Sequence, residues 1–259
     1  PRLHRYSRSI MANTWKKYPW LIALAAYVVL HAVFSQLLTV DLIALLYLIR
    51  LCLYAGLVAV LYLGVQEQYI SRGELLLAPL LTGLGIAMLG HLQYIFLPDT
   101  RFLKAFGWDD HYYRLISTLF DPNFTAMIIG LSVLLLLHFA KKMQRQQLIG
   151  AGATLMSALL LTYSRAGFLS AAVGILTWVI LTKQWRYLAL LSIFLLIPLL
   201  PRPAGEGVKL ERTASVVSRF ERNITVLSQL HGVEWIIGQG LYRQRPISDT
   251  PDLPNHAKT

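Results

Sequence analysis

Residues 148–183 read LIGAGATLMSALLLTYSRAGFLSAAVGILTWVILTK, and this stretch decides the fold. About 20 residues of α-helix cross about 30 Å of hydrocarbon, so the run is too long for one crossing. It is broken only at Ser164, Arg165 and Gly167. Polar and helix-weakening residues inside a greasy run mark a turn between two helices rather than a lipid-exposed loop. The expectation is a pair of membrane helices meeting at YSRAG.

Working outward, apolar runs of spanning length occupy residues 19–40, 42–63, 75–97 and 124–140, and a shorter one fills 187–200, where Pro198, Pro201 and Pro203 end it. The fold class expected is an all-α polytopic membrane protein of about seven transmembrane helices. Residues 1–200 form the bundle, and residues 201–259 a large outer loop of the same domain. Composition agrees, with 56% hydrophobic and 14% charged residues and a mean hydropathy of +0.53, where soluble domains carry about 25% charged residues. No cleavage site follows the basic start, and a chain opening at Pro1 is expected to be a central piece of a longer protein. The single cysteine, Cys52, permits neither a disulfide framework nor a cysteine-ligated zinc site.

A net charge of +11 raises the question of nucleic acid. The basic residues lie in short loops between apolar runs, with no continuous basic stripe, so a nucleic-acid partner is not expected. Lysine and arginine near span ends stay in the cytoplasm. Arg2, Arg5, Arg8, Lys16 and Lys17 place the N-terminus inside; Arg72, Lys141, Lys142, Arg145, Lys183 and Arg186 follow on that side if each run crosses once. The opposite face then receives residues 98–123, the bend at Arg165 and everything beyond residue 200. Within 98–123, aromatic and aliphatic residues interleave with charge, as in a helix floating at the headgroup level, with membrane lipids as its partners. In the last segment Val216, Val217, Phe220, Ile224, Leu227 and Leu230 recur at helical spacing and predict an amphipathic helix.

Arginines on that outer face are not explained by topology. Arg165 stands where two spans meet, and a charge there is a functional-site hypothesis. Its planar fork of donors suits phosphate oxygens; the structural alternative is that it snorkels to headgroups or pairs with an acid such as Asp121. Arg114, Arg202, Arg212, Arg219 and Arg222 share the face and would bind a polyanion together, although an interfacial helix carries such residues anyway. Asp121, Pro122 and Asn123 precede a span, where aspartate caps and proline suits the first turn. His256 is one of few outer groups able to take a proton near neutrality, with Asp121 and His111 behind it. There is no phosphate-binding GxxxxGK[ST] loop, no HExxH helix and no GxSxG elbow, so no metal and no cofactor is expected.

Three motifs in order, YYRLISTLFDPNFTAMIIG, LTYSRAGFLSAAVG and SVVSRFERN followed by IIGQGLY, resemble successive signatures of the O-antigen ligase and Wzy-type O-antigen polymerase family. Residues 49–57 and GHLQYIFLPD resemble its upstream spans, so the likeness covers most of the chain. The resemblance implies a metal-independent glycosyltransferase of GT-C type in the bacterial cytoplasmic membrane, acting on its outer face. Its partners would be a glycan on undecaprenyl pyrophosphate and an acceptor glycan or lipid A core. By motif, Arg165 and Arg219 would grip the pyrophosphate and His256 would position or activate the acceptor, as catalytic residues, with Arg114, Asp121, Asn123, Arg202, Arg212 and Arg222 as substrate-binding ones. A transporter or flippase of lipid-linked glycans is the rival reading; it would show internal repeats or broken midplane spans, and neither is legible.

Overall fold

The computed structural model describes residues 26–30, 42–200, 214–228, 230–232 and 235. The chain divides into two compact units, Pro1–Ile70 with Ala214–Thr259, and Ser71–Thr213. Among the described residues there is no strand, only one antiparallel bridge between Asp99 and Tyr112.

In the first unit, α1 (Leu42–Gln66) is apolar around its circumference except at Arg50, whose Nε donates to Tyr54 OH at 2.6 Å, as expected of a helix whose solvent is lipid. The helix α6 (Ala214–Ser228) is the amphipathic one that the sequence predicts. Its Val217, Phe220, Ile224 and Leu227 are exposed.

The second unit holds α2 (Arg72–Phe96), α3 (Pro122–Phe139), α4 (Arg145–Leu161), α5 (Arg165–Thr182) and a 3-10 helix, η3 (Trp185–Leu199). Each helix begins where local chemistry allows it. A reciprocal capping box opens α2, with Ser71 Oγ accepting from Glu74 N at 3.1 Å and Glu74 Oε2 accepting from Ser71 N at 2.8 Å. Short links at 140–144, 162–164 and 183–184 force successive neighbours to run antiparallel. Among the described residues four helices, α1, α2, α3 and α5, are long and apolar enough to cross a membrane. The remaining α-helix of the second unit, α4, stops at 17 residues.

The centre of the second unit is α3, half of whose spanning window is buried, against 28% for α2 and α5. Ala126, Ile129, Val133 and Leu136 of α3 pack with Leu155 and Leu159 of α4 and with Phe168, Ala171, Ile175 and Val179 of α5. The outward faces of α2, α3 and α5 carry Leu81, Met88, Leu92, Leu131, Leu169, Val173 and Ile180, all exposed. Such a coat would aggregate in water and is ordinary against lipid tails.

Lipid gives no hydrophobic drive to bring helices together, so close approach between small residues does the work. A Cβ at Gly167 of α5 would overlap the Cβ of Ala126 on α3, and one at Gly130 would lie 3.5 Å from Ala171 Cβ. Gly167 of YSRAG is therefore a contact point rather than a helix breaker. Replacing it with alanine should push α3 and α5 apart and cost about 1–3 kcal/mol as overpacking. Equal thermal stability of Gly167→Ala and wild type in detergent would refute that close contact.

Candidate functional site

Four helix ends of the second unit meet: the C-termini of α2 and α4 and the N-termini of α3 and α5. What holds them is the connection between α2 and α3. The sequence predicts one interfacial helix there; the structure has instead two short 3-10 turns, η1 (Arg101–Phe106) and η2 (Ser117–Leu119). Gly107 takes φ 84°, and Tyr113, Ser117 and Phe120 also adopt the left-handed region. No α-helix survives so many reversals. Non-glycine residues in this region store about 1–3 kcal/mol each and persist only where the surroundings dictate them.

One side chain supplies much of that dictation. Gln93, near the end of α2, accepts from the backbone N–H groups of Ile116 (3.0 Å) and Ser117 (3.3 Å) through Oε1. Its Nε2 donates to the carbonyls of Leu97 (3.0 Å) and Arg114 (3.3 Å). Sequence reasoning passed over Gln93; the available signal was a lone amide inside the apolar run 75–97. Buried Thr100 donates through N (3.0 Å) and Oγ1 (2.9 Å) to the His111 carbonyl, and Tyr113 N donates to the Pro98 carbonyl at 2.9 Å. The loop's two arms are thereby zipped together.

Arg114 lies under the loop, 5% exposed. Its Nε donates to the Thr162 carbonyl at 3.0 Å and Nη2 to that of Tyr163 at 3.4 Å. A cation at the end of α4 satisfies carbonyls that the helix leaves open and complements its dipole. Leu115 N donates to the Leu161 carbonyl at 2.9 Å beside it. Arg114 thus joins the loop to the α4–α5 bend.

The two motifs on either side of that bend touch directly. Asp121 Oδ1 caps α3 by accepting from Asn123 N (2.6 Å) and Phe124 N (2.8 Å), with Pro122 in the first turn, as expected from the sequence. Ser164 caps α5, its Oγ accepting from Gly167 N at 3.2 Å and donating to Asn123 Oδ1 at 2.8 Å. Arg165 is the first residue of α5 and is half-buried. A helix N-terminus carries partial positive charge, so an arginine at this position adds to the positive potential where an anion would be held.

Asp99 and Arg101 form a forked ion pair on the rim, Nε to Oδ1 at 2.9 Å and Nη2 to Oδ2 at 2.6 Å, with the guanidinium 4.8 Å from the centre of the Tyr112 ring. The side-chain hydrogen bonds from Arg101, then its backbone N–H, hold the Asp99 carboxyl down to about 2 from 3.8. A depressed carboxylate contributes stability above its unfolded value and loses it as pH falls through the folded one. The pair should loosen between pH 3.8 and about 2, and exposure keeps its share of stability small. An NMR titration of Asp99 should give that low midpoint, moving back up in Arg101→Gln; an unmoved midpoint would remove Arg101 as the cause.

Of the residues expected at the site, Arg114, Asp121, Asn123 and Arg165 converge here, with His111 beside them. Arg219 and Arg222 fall on α6 of the other unit, and Arg202, Arg212 and His256 lie outside the described residues. No metal was expected, yet Asp109, His111 and Asp121 bring one ligand atom each within 4.8 Å of one another. Comparison with protein-family models, with curated proteins and with solved structures finds no match to this chain.

Proposed function

We propose that this chain is a membrane glycosyltransferase that moves a glycan from undecaprenyl pyrophosphate to an acceptor, as a polymerase or ligase of surface polysaccharide. The reading rests on one contact, the hydrogen bond from Ser164 to Asn123. It joins the two motifs whose family resemblance implies this chemistry and presents Arg165 at the junction. The fuller architecture belongs to the same proposal. At about 2.0 Å per residue the 15-residue η3 reaches about 30 Å, so η3, α4 and the apolar run 19–40 would bring the four longer helices to the seven-span, GT-C-like architecture, with its site on the outer face of a bacterial cytoplasmic membrane.

In the reaction, the acceptor hydroxyl oxygen attacks the anomeric carbon and the bond from that carbon to the pyrophosphate oxygen breaks. Undecaprenyl pyrophosphate leaves with the electron pair, and the hydroxyl proton passes to a base, for which the resemblance offers His256. The leaving group is already activated. What the protein adds is fixed positive charge where negative charge grows, in a site partly shielded from water. Arg165 meets that need, and Arg219 would supply a second grip.

Reconstitution in liposomes with a defined undecaprenyl pyrophosphate oligosaccharide tests the reading by product sizing. A ladder of longer lipid-linked glycans is expected of a polymerase, and label on a separate acceptor of a ligase. Movement of the lipid-linked glycan across the bilayer with no new glycosidic bond would replace transfer with transport.

A further inference from the structure

Asp109 lies midway along the connecting loop and Asp121 at its end, and an apolar contact brings them together. Trp108 and Phe120, the residues just before each, pack with ring centres 5.4 Å apart and planes tilted by 51°. The third member, His111, is 7% exposed and hangs from a backbone that Thr100 fixes with two hydrogen bonds.

We propose that Asp109, His111 and Asp121 form a binding site for a divalent first-row cation of the Mn2+ or Zn2+ class. Two carboxylates and one imidazole are the donors such ions take. Bonds of about 2.0–2.2 Å place neighbouring tetrahedral ligands about 3.4 Å apart, so a set within 4.8 Å closes on an ion through side-chain rotation. Asp121 gives its Oδ1 to two backbone N–H groups of α3, which orients the carboxylate and leaves its other oxygen for the ion. Outer bonds of this kind, together with those from Thr100, are what fix ligands in place at metal sites. Three protein ligands leave coordination positions for water or for a phosphate oxygen, beside the end of the bundle where Arg165 sits. The site stands on its own residues and does not depend on the glycosyl-transfer reading.

The test is Mn2+ titration of the intact, chelator-stripped chain in zwitterionic nanodiscs, followed by loss of the free Mn2+ EPR signal, with empty nanodiscs as the blank and Zn2+ as competitor. One saturable Mn2+ per chain, displaced by Zn2+, is expected. Asp109→Asn and His111→Gln should each weaken binding by at least about tenfold, since even outer-shell losses at metal sites cost 10–100-fold. Asp110→Asn, which alters the exposed neighbouring acid, should leave it unchanged. Asp109 is only half-buried, so its variant decides the matter if His111→Gln fails to fold. Absence of a saturable site, or one of undiminished affinity in Asp109→Asn, overturns the proposal and leaves a hydrogen-bonded histidine–carboxylate cluster without an ion.

Discussion

Arg165→Ala is expected to lower glycan transfer by about 10²–10³-fold, the usual cost of deleting one preorganised group that stabilises developing charge, while the protein still inserts and melts like wild type. The second half of that expectation follows from position. Arg165 opens α5 and is only half-buried; the cap itself is made by Ser164 and the packing by Gly167 against Ala126. A cation at a helix N-terminus is unfavourable to the helix dipole, so its removal should not weaken α5. Arg165→Lys keeps the charge and loses the fork, and should recover part of the rate, because lysine binds phosphate as a point charge. Measured side by side in liposomes with a pyrophosphate-linked glycan, wild-type turnover from a stably inserted Arg165→Ala protein would remove the arginine from catalysis. An equal collapse of melting temperature and activity would make it a folding residue.

The reading of Arg165 depended on a feature that sequence makes visible, a charge between two apolar runs. The helix start at Asp121 was visible because a cap is chemistry between residues two or three apart; Ser164 was legible only as a polar break, and its cap on Gly167 was not. Nor was the connecting loop. Its alternation of aromatic and charged residues fits an interfacial helix, but its backbone is set by Gln93, more than twenty residues upstream of Ile116 and Ser117, and long-range bonds override local propensity. The contact between Ser164 and Asn123 spans 41 residues. It forms because Gly167 lets α5 settle on Ala126 of α3, and composition alone presents Gly167 as a breaker. The two carboxylates of the candidate cation site met through the ring contact of Trp108 and Phe120, which no spacing rule announces.

Arg114 is expected to behave in the opposite way to Arg165, losing stability first and activity as a consequence. It is 5% exposed, and its Nε and Nη2 donate to the last carbonyls before the Ser164 cap. Hydrogen bonds to a charged group contribute about 1.5–3 kcal/mol, and a buried acceptor left without a donor costs further. Arg114→Ala should therefore destabilise the unit by about 3 kcal/mol or more. Hydrogen exchange should rise in two places at once, at residues 111–117 and at 161–167, because the guanidinium is the link between them. Arg114→Lys restores the charge but places one ammonium where two carbonyls are fed from a planar fork, so it should recover only part of the stability. Activity should track the folded fraction in both variants. If Arg114→Ala melts normally and shows wild-type exchange at both segments while transfer falls, Arg114 contacts substrate, and the loop must be held at the bend by Gln93 and the backbone bond from Leu115 to Leu161 alone.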